Sequence, residues 1–168
     1  EPQQGRVLID DSSIAVMTEE GQSDGRTPLQ VLLDAYTERV EALERLAQLL
    51  SGAGFEVAGT CGDATAAVEM VARRRPDVAI VDIRMPPGDG TAGLTAAHEI
   101  RRRTPGTGVL VLSHLLESRY AMQLLEEAPE RVGYLLKERV SDIGALSDAL
   151  RRINDGECVI DPSIVSRL

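Results

Sequence analysis

Residues 78–81 (Val78-Ala79-Ile80-Val81) and 109–112 (Val109-Leu110-Val111-Leu112) are apolar without interruption. A strand with one wet face alternates apolar and polar positions. These runs do not alternate, so they predict strands covered on both faces, as in the middle of a parallel sheet. Two further strands are predicted at 55–60 and 132–136. Between the strands the apolar period lengthens to three or four. Ala64, Val68, Val71 and Ala72 mark one helix, opened by Asp63 and closed before Pro76. A second is expected near 91–103, ended by Thr104-Pro105-Gly106. A third is expected at 117–127, with Tyr120, Leu124 and Leu125 inward. A closing helix capped by Ser141 carries Ile143, Leu146, Leu150 and Ile153 and stops at Gly156. Strand and helix alternating through short links define right-handed βαβ units: an α/β fold, a parallel sheet with helices on both faces.

The first third of the chain is less regular. Arg6-Val7-Leu8-Ile9-Asp10-Asp11 reads as a short strand ending in two carboxylates, and 18–27 as a polar loop. Met17-Thr18-Glu19-Glu20 has the look of a chain start, which would make residues 1–16 an extension. Residues 29–51 support two readings. In one they form a single helix, with Thr27 as N-cap, Pro28 in the first turn and Gln30 completing a capping box. Leu29, Leu33, Tyr36, Val40, Leu43, Ala47 and Leu50 then share a stripe. Such a helix, about 35 Å long, would overhang a strand of ~17–20 Å. In the other reading, 29–33 is a strand ending at Asp34 and the helix starts near Thr37.

Composition narrows the function. Hydrophobic residues make up 43% of the 168, enough for a core, but aromatics only 2%. A net charge of −9 with no Trp and one Phe leaves neither a basic face nor stacking platforms for nucleic acid. Arg73-Arg74-Arg75 and Arg101-Arg102-Arg103 fall in last helical turns, where cations offset the helix dipole by ~0.3–1 kcal/mol. Cys61 and Cys158 show no metal-ligand spacing and suit a reducing cytoplasm. No apolar run reaches the length of a membrane span, and no membrane partner is expected.

Asp82, Ser113 and Lys137 each end a predicted strand. The carboxyl ends of parallel strands share one edge, where chemistry gathers in open α/β sheets. Together with the acidic group of the first strand they make a set of carboxylates, a hydroxyl and an ammonium. Such a set suits phosphoryl transfer. Carboxylates hold a hard cation such as Mg²⁺, the cations offset charge on the moving group, and an Asp can accept it as an acyl phosphate.

At these residues the chain resembles the receiver domain of bacterial two-component response regulators. The likeness rests on Val81-Asp82-Ile83-Arg84-Met85-Pro86, on Val109-Leu110-Val111-Leu112-Ser113 and on Gly133-Tyr134-Leu135-Leu136-Lys137. The tail Gly156-Glu157-Cys158-Val159-Ile160-Asp161-Pro162 is similar to the linker of the subclass with a C-terminal LuxR-type helix-turn-helix. The resemblance covers about residues 52–165. It implies a flavodoxin-like (CheY-like) doubly wound sheet of five parallel strands. It divides the chain into 1–28, an N-terminal extension or first strand plus inserted loop; 29–157, the receiver domain; and 158–168, the start of a linker to a C-terminal effector domain.

The resemblance also implies roles. Asp82 is the phosphoacceptor, Lys137 contacts the phosphoryl group, Ser113 closes on it, and Tyr134 swings inward as a switch. Mg²⁺ is held by Asp82, by the backbone carbonyl of Arg84 and by an acidic pair. Asp10 and Asp11 match that pair in type but are separated from the helix by a long insertion; Asp34 is the alternative, with Ala35 as neighbour. The expected partners are a sensor histidine kinase, a second copy of the chain, and DNA only through a C-terminal domain. The module is no enzyme beyond Mg²⁺-dependent self-phosphorylation and dephosphorylation at Asp82, and it is expected in the cytoplasm. Two alternatives stand beside this reading. One is a pseudo-receiver that dimerises without phosphorylation. The other is an aspartate-nucleophile phosphatase, which needs a second Asp at the position of Arg84.

Overall fold

The computed structural model describes residues 6–10, 27–84, 91–114 and 118–167, the first of these segments as backbone only. Six parallel strands form one sheet: β1 (Arg6–Asp10), β2 (Glu56–Cys61), β3 (Val78–Asp82), β4 (Gly108–Ser113), β5 (Val132–Leu136) and β6 (Cys158–Ile160). Their order is β2-β1-β3-β4-β5-β6. The helices are α1 (Pro28–Gly52), α2 (Ala64–Arg74), α3 (Ala92–Arg103), α4 (Ser118–Glu127), α5 (Ile143–Asn154) and α6 (Pro162–Val165).

The two solid apolar strands are buried at every position. Alternate residues face opposite layers. Ala79, Val81, Val109 and Val111 join the core beneath α2, α3 and α4. Val78, Ile80, Leu110 and Leu112 join the core beneath α1 and α5. Continuous apolarity was therefore two interleaved period-2 patterns, one for each layer. The order reverses between β1 and β3, which puts the topological switch point at their carboxyl ends.

The single-helix reading of residues 29–51 is the one observed. Thr27 caps α1, its hydroxyl accepting from the Gln30 N–H at 3.2 Å while the Gln30 side chain accepts from the Thr27 N–H at 3.0 Å. The strand at 29–33 is corrected: those residues are helical, and Asp34 lies on an exposed part of α1 rather than at a strand end. A capping box with Pro at the first turn outweighs a short apolar run without β-branched continuity. The early turns overhang, with Leu29 and Leu33 exposed. Packing takes hold later, at Leu43, Leu46, Ala47 and Leu50.

Two other expectations change. The sheet has six strands rather than five, because residues 158–160 pair with 132–134 at the β5 edge. The cap of α5 is Asp142, whose carboxylate accepts from the Ala145 N–H at 3.1 Å; Ser141 ends a 3₁₀ turn over Lys137–Ser141.

At the amino ends of β3, β4 and β5, Arg131 gathers three loops. Its backbone is left-handed at φ 56°. Its guanidinium donates to the carbonyls of Asn154 at 2.8 Å, Gly106 at 2.8 Å and Asp77 at 3.3 Å. Charged hydrogen bonds are worth more than neutral ones, so Arg131→Ala is expected to cost about 2 kcal/mol. Urea unfolding monitored by circular dichroism reads this directly; a change under about 0.5 kcal/mol would count against the staple.

Candidate phosphoryl-transfer site

β3 delivers Asp82 to the carboxyl edge, where it is 1% exposed. An ionised carboxylate so buried needs partners. One oxygen accepts the Arg84 backbone N–H at 3.0 Å. The other forms an ion pair with Lys137 Nζ, whose side chain is only 10% exposed. Lys137 reaches it from the first residue beyond β5, two strands away.

The register explains the meeting. Asp82 pairs with Leu112, and Ser113 pairs with Leu136. Ser113 thus stands one register step beyond Asp82, and Lys137 one step beyond Ser113, so the three form a staircase across one edge. Ser113 is buried. Tyr134 lies three residues before Lys137 on β5, paired with Val111, and is 0% exposed. On the other side of β3, Asp10 ends β1 with Val81 and Cys61 as its register partners. The backbone of Asp10 therefore stands one register step before Asp82 at the same edge. Asp11 and Met85-Pro86 lie outside the described residues, as does the Asp10 side chain.

Helix α3 presses on this edge from below. The Gly93 N–H donates to the Ile83 carbonyl at 2.9 Å. A Cβ on Gly93 would sit 1.7 Å from the Asp82 carbonyl oxygen. The sequence marked Gly93 only as part of a helix start, because the contact it makes is with backbone eleven residues away. Asp161, which the sequence marked as part of the linker-like tail, caps α6 by accepting from the Ser163 N–H at 2.9 Å, but it is also 0% exposed and accepts from the Leu136 N–H at 3.1 Å. Arg101, expected to offset a helix dipole, also donates to the carbonyls of Leu124 at 2.8 Å, Glu130 at 3.1 Å and Ala128, tying α3 to the end of α4.

The first five strands follow the order 2-1-3-4-5, with a buried acid, a buried hydroxyl and a lysine gathered at their carboxyl ends. Comparison with known proteins gives the family. The family model described as "Response regulator receiver domain" matches residues 38–150. The chain is 33% identical over 114 residues to the oxygen regulatory protein NreC of Staphylococcus carnosus, covering 68% of this chain and 50% of that protein. It is 33% identical over 138 residues to the transcriptional regulatory protein DegU of Brevibacillus brevis, covering 82% of this chain and 55% of that protein. Among solved structures, the isolated REC domain of RcsB from Salmonella enterica, in the presence of the phosphomimetic BeF₃⁻, superposes with a TM-score of 0.65 at 20% identity, covering 98% of this chain and 99% of that one. The chain belongs to the response regulator receiver domain family. It spans about half the length of the curated relatives it matches. Among the described residues, no helix is long and apolar enough to cross a membrane.

Proposed function

We propose that this receiver domain is phosphorylated on Asp82 by a sensor histidine kinase, and that the acyl phosphate sets the output of the protein that carries it. The buried ion pair between Lys137 and Asp82 supports this best, because it keeps an ionised acid and a cation ready at one point of the switch edge. In the transfer an Asp82 oxygen attacks phosphorus, the P–N bond of the donor phosphohistidine breaks, and the imidazole leaves with the electron pair. The new dianion then draws Lys137 from the carboxylate to the phosphoryl oxygens. The Ser113 hydroxyl donates to one of those oxygens, and Tyr134 holds the inward position of the engaged state.

The donors available to a metal are oxygen atoms, as a hard cation requires. Asp82 and the Arg84 carbonyl would hold Mg²⁺ together with Asp10 and Asp11, Asp10 being at the right edge by strand register. Mg²⁺ bound there would neutralise charge on the entering phosphoryl group. Asp34, on the exposed flank of α1, is the weaker candidate for this role. Self-phosphorylation from a small donor, slow hydrolysis of Asp82 phosphate, pairing of two copies, DNA contact through a further domain and residence in the cytoplasm complete the reading. Family membership and the intact Lys137–Asp82 pair both weigh against a phosphorylation-independent module.

Intact-mass spectrometry after incubation with Mg²⁺ and acetyl phosphate tests it. One added phosphoryl group is expected on the protein and none on Asp82→Asn. An unmodified wild-type mass, or an adduct that survives Asp82→Asn, would overturn the assignment.

A further inference from the structure

Beyond the residues at the strand ends, we propose that Asp161 is a positioning residue for Lys137, gripping the chain on both sides of that lysine and so aiming its amine at Asp82. This rests on the reading of Asp82 as phosphoacceptor.

The geometry begins at the sheet edge. β6 pairs with β5 only as far as Tyr134 and Ile160. The Asp161 N–H extends the ladder by one bond to the Tyr134 carbonyl, at 2.8 Å. There β6 turns away, which would leave the Leu136 N–H at a sheet edge without a strand beside it. The Asp161 carboxylate takes the place of the missing strand carbonyl, accepting that N–H at 3.1 Å. Leu136 is the residue immediately before Lys137. Arg139, two residues after Lys137, reaches the same carboxylate with Nε at 3.2 Å and Nη2 at 3.4 Å. One carboxylate thus fixes the peptide entering Lys137 and the turn leaving it.

A helix cap alone does not call for this arrangement. Ser, Thr or Asn would cap α6 as well as Asp does, without a charge to bury. A carboxylate has two oxygens and a charge, enough to hold the Arg139 guanidinium as well as the two amides. Burial pushes the Asp161 carboxyl up, but the Arg139 guanidinium and the Ser163 and Leu136 amides together hold it below its usual value. It is therefore ionised where the lysine must work. Ile164, 0% exposed, plugs into the same core layer as Tyr134 and Leu136 and keeps Asp161 from lifting off the edge.

The test is a double-mutant cycle on the rate at which Mg²⁺ and acetyl phosphate label Asp82. Asp161→Ala is expected to slow labelling about tenfold when Lys137 is present, since small misplacements of a charged group are costly. In a Lys137→Met background it is expected to change the rate less than about twofold, because the residue it positions is gone. Asp161→Asn keeps one oxygen, enough for one of the two amides, and loses the ion pair, so it should fall between wild type and Asp161→Ala. That variant also carries the cycle where Asp161→Ala does not fold. Equal slowing in both backgrounds would show a role in the fold alone and sink the inference. So would an undiminished rate in Asp161→Ala with Lys137 present. A wild-type chain that takes up no phosphoryl group at all would instead fail at Asp82, removing the reading on which this one stands.

Discussion

Gly93→Ala is expected to destabilise the domain by about 3 kcal/mol or more. The added Cβ would lie 1.7 Å from the Asp82 carbonyl oxygen, 2.6 Å from the Asp82 carbonyl carbon and 2.8 Å from that of Ile83. All three are backbone atoms of the strand end, so no side-chain rotamer can relieve the clash. Either α3 lifts and stretches the 2.9 Å bond from its Gly93 N–H to the Ile83 carbonyl, or the end of β3 shifts and carries Asp82 with it. For a chain of this size such a loss lowers the melting temperature by roughly 6–12 °C. Gly106 serves as the comparison, since a Cβ there meets nothing within 4 Å. Gly106→Ala should stay within about 0.5 kcal/mol of the parent. Paired urea titrations decide it: a Gly93→Ala midpoint close to that of Gly106→Ala would mean that the helix can retreat at little cost.

The contrast between these two glycines shows what the linear chain carries and what it does not. Strands β3, β4 and β5 were legible because burial on both faces writes itself into every residue of the run. The capping box of α1 was legible because its partners, Thr27 and Gln30, are three residues apart. Asp82, Ser113 and Lys137 were legible as strand ends, and parallel topology alone then requires that they share an edge. The resemblance to receiver domains gave those residues their expected roles, which the register by itself does not assign. What stayed hidden depends on pairs distant in sequence. Gly93 meets the end of β3 across a loop, Asp161 meets Leu136 across a helix, and β6 is a three-residue strand with no periodicity to read. The cap of α5 was misplaced by one residue for a local reason. Ser141 and Asp142 are both good caps, and the 3₁₀ turn after Lys137 uses up the first of them, its hydroxyl donating to the Glu138 carbonyl at 2.8 Å.

The second large effect is expected at Lys137. Asp82 is buried and Lys137 nearly so, which sets this pair apart from exposed pairs such as Arg102–Glu99. An exposed pair is worth about 0–1 kcal/mol, since water serves each charge almost as well. Taking one partner from a buried pair leaves a charge that water cannot reach, at a cost of ~3–5 kcal/mol. Lys137→Met keeps the length and apolar stem of the lysine and removes only its charge, so packing changes little. The Asp82 carboxylate would retain the Arg84 amide and lose its cation. Lys137→Met is therefore expected to lose about 3 kcal/mol or more in urea unfolding at neutral pH. Asp82→Asn should cost less, because the freed ammonium at the end of a flexible stem can turn toward solvent. The pair Asp82→Asn/Lys137→Met should recover a large part of the single Lys137→Met loss, as an uncharged amide needs no counter-ion. A coupling of about 2 kcal/mol between the two positions is the expected size for residues in direct contact. Were Lys137→Met alone to cost under about 1 kcal/mol, the acid would have to be neutral or hydrated in the folded protein. The amine would then be a bystander at this edge rather than the group that keeps Asp82 charged.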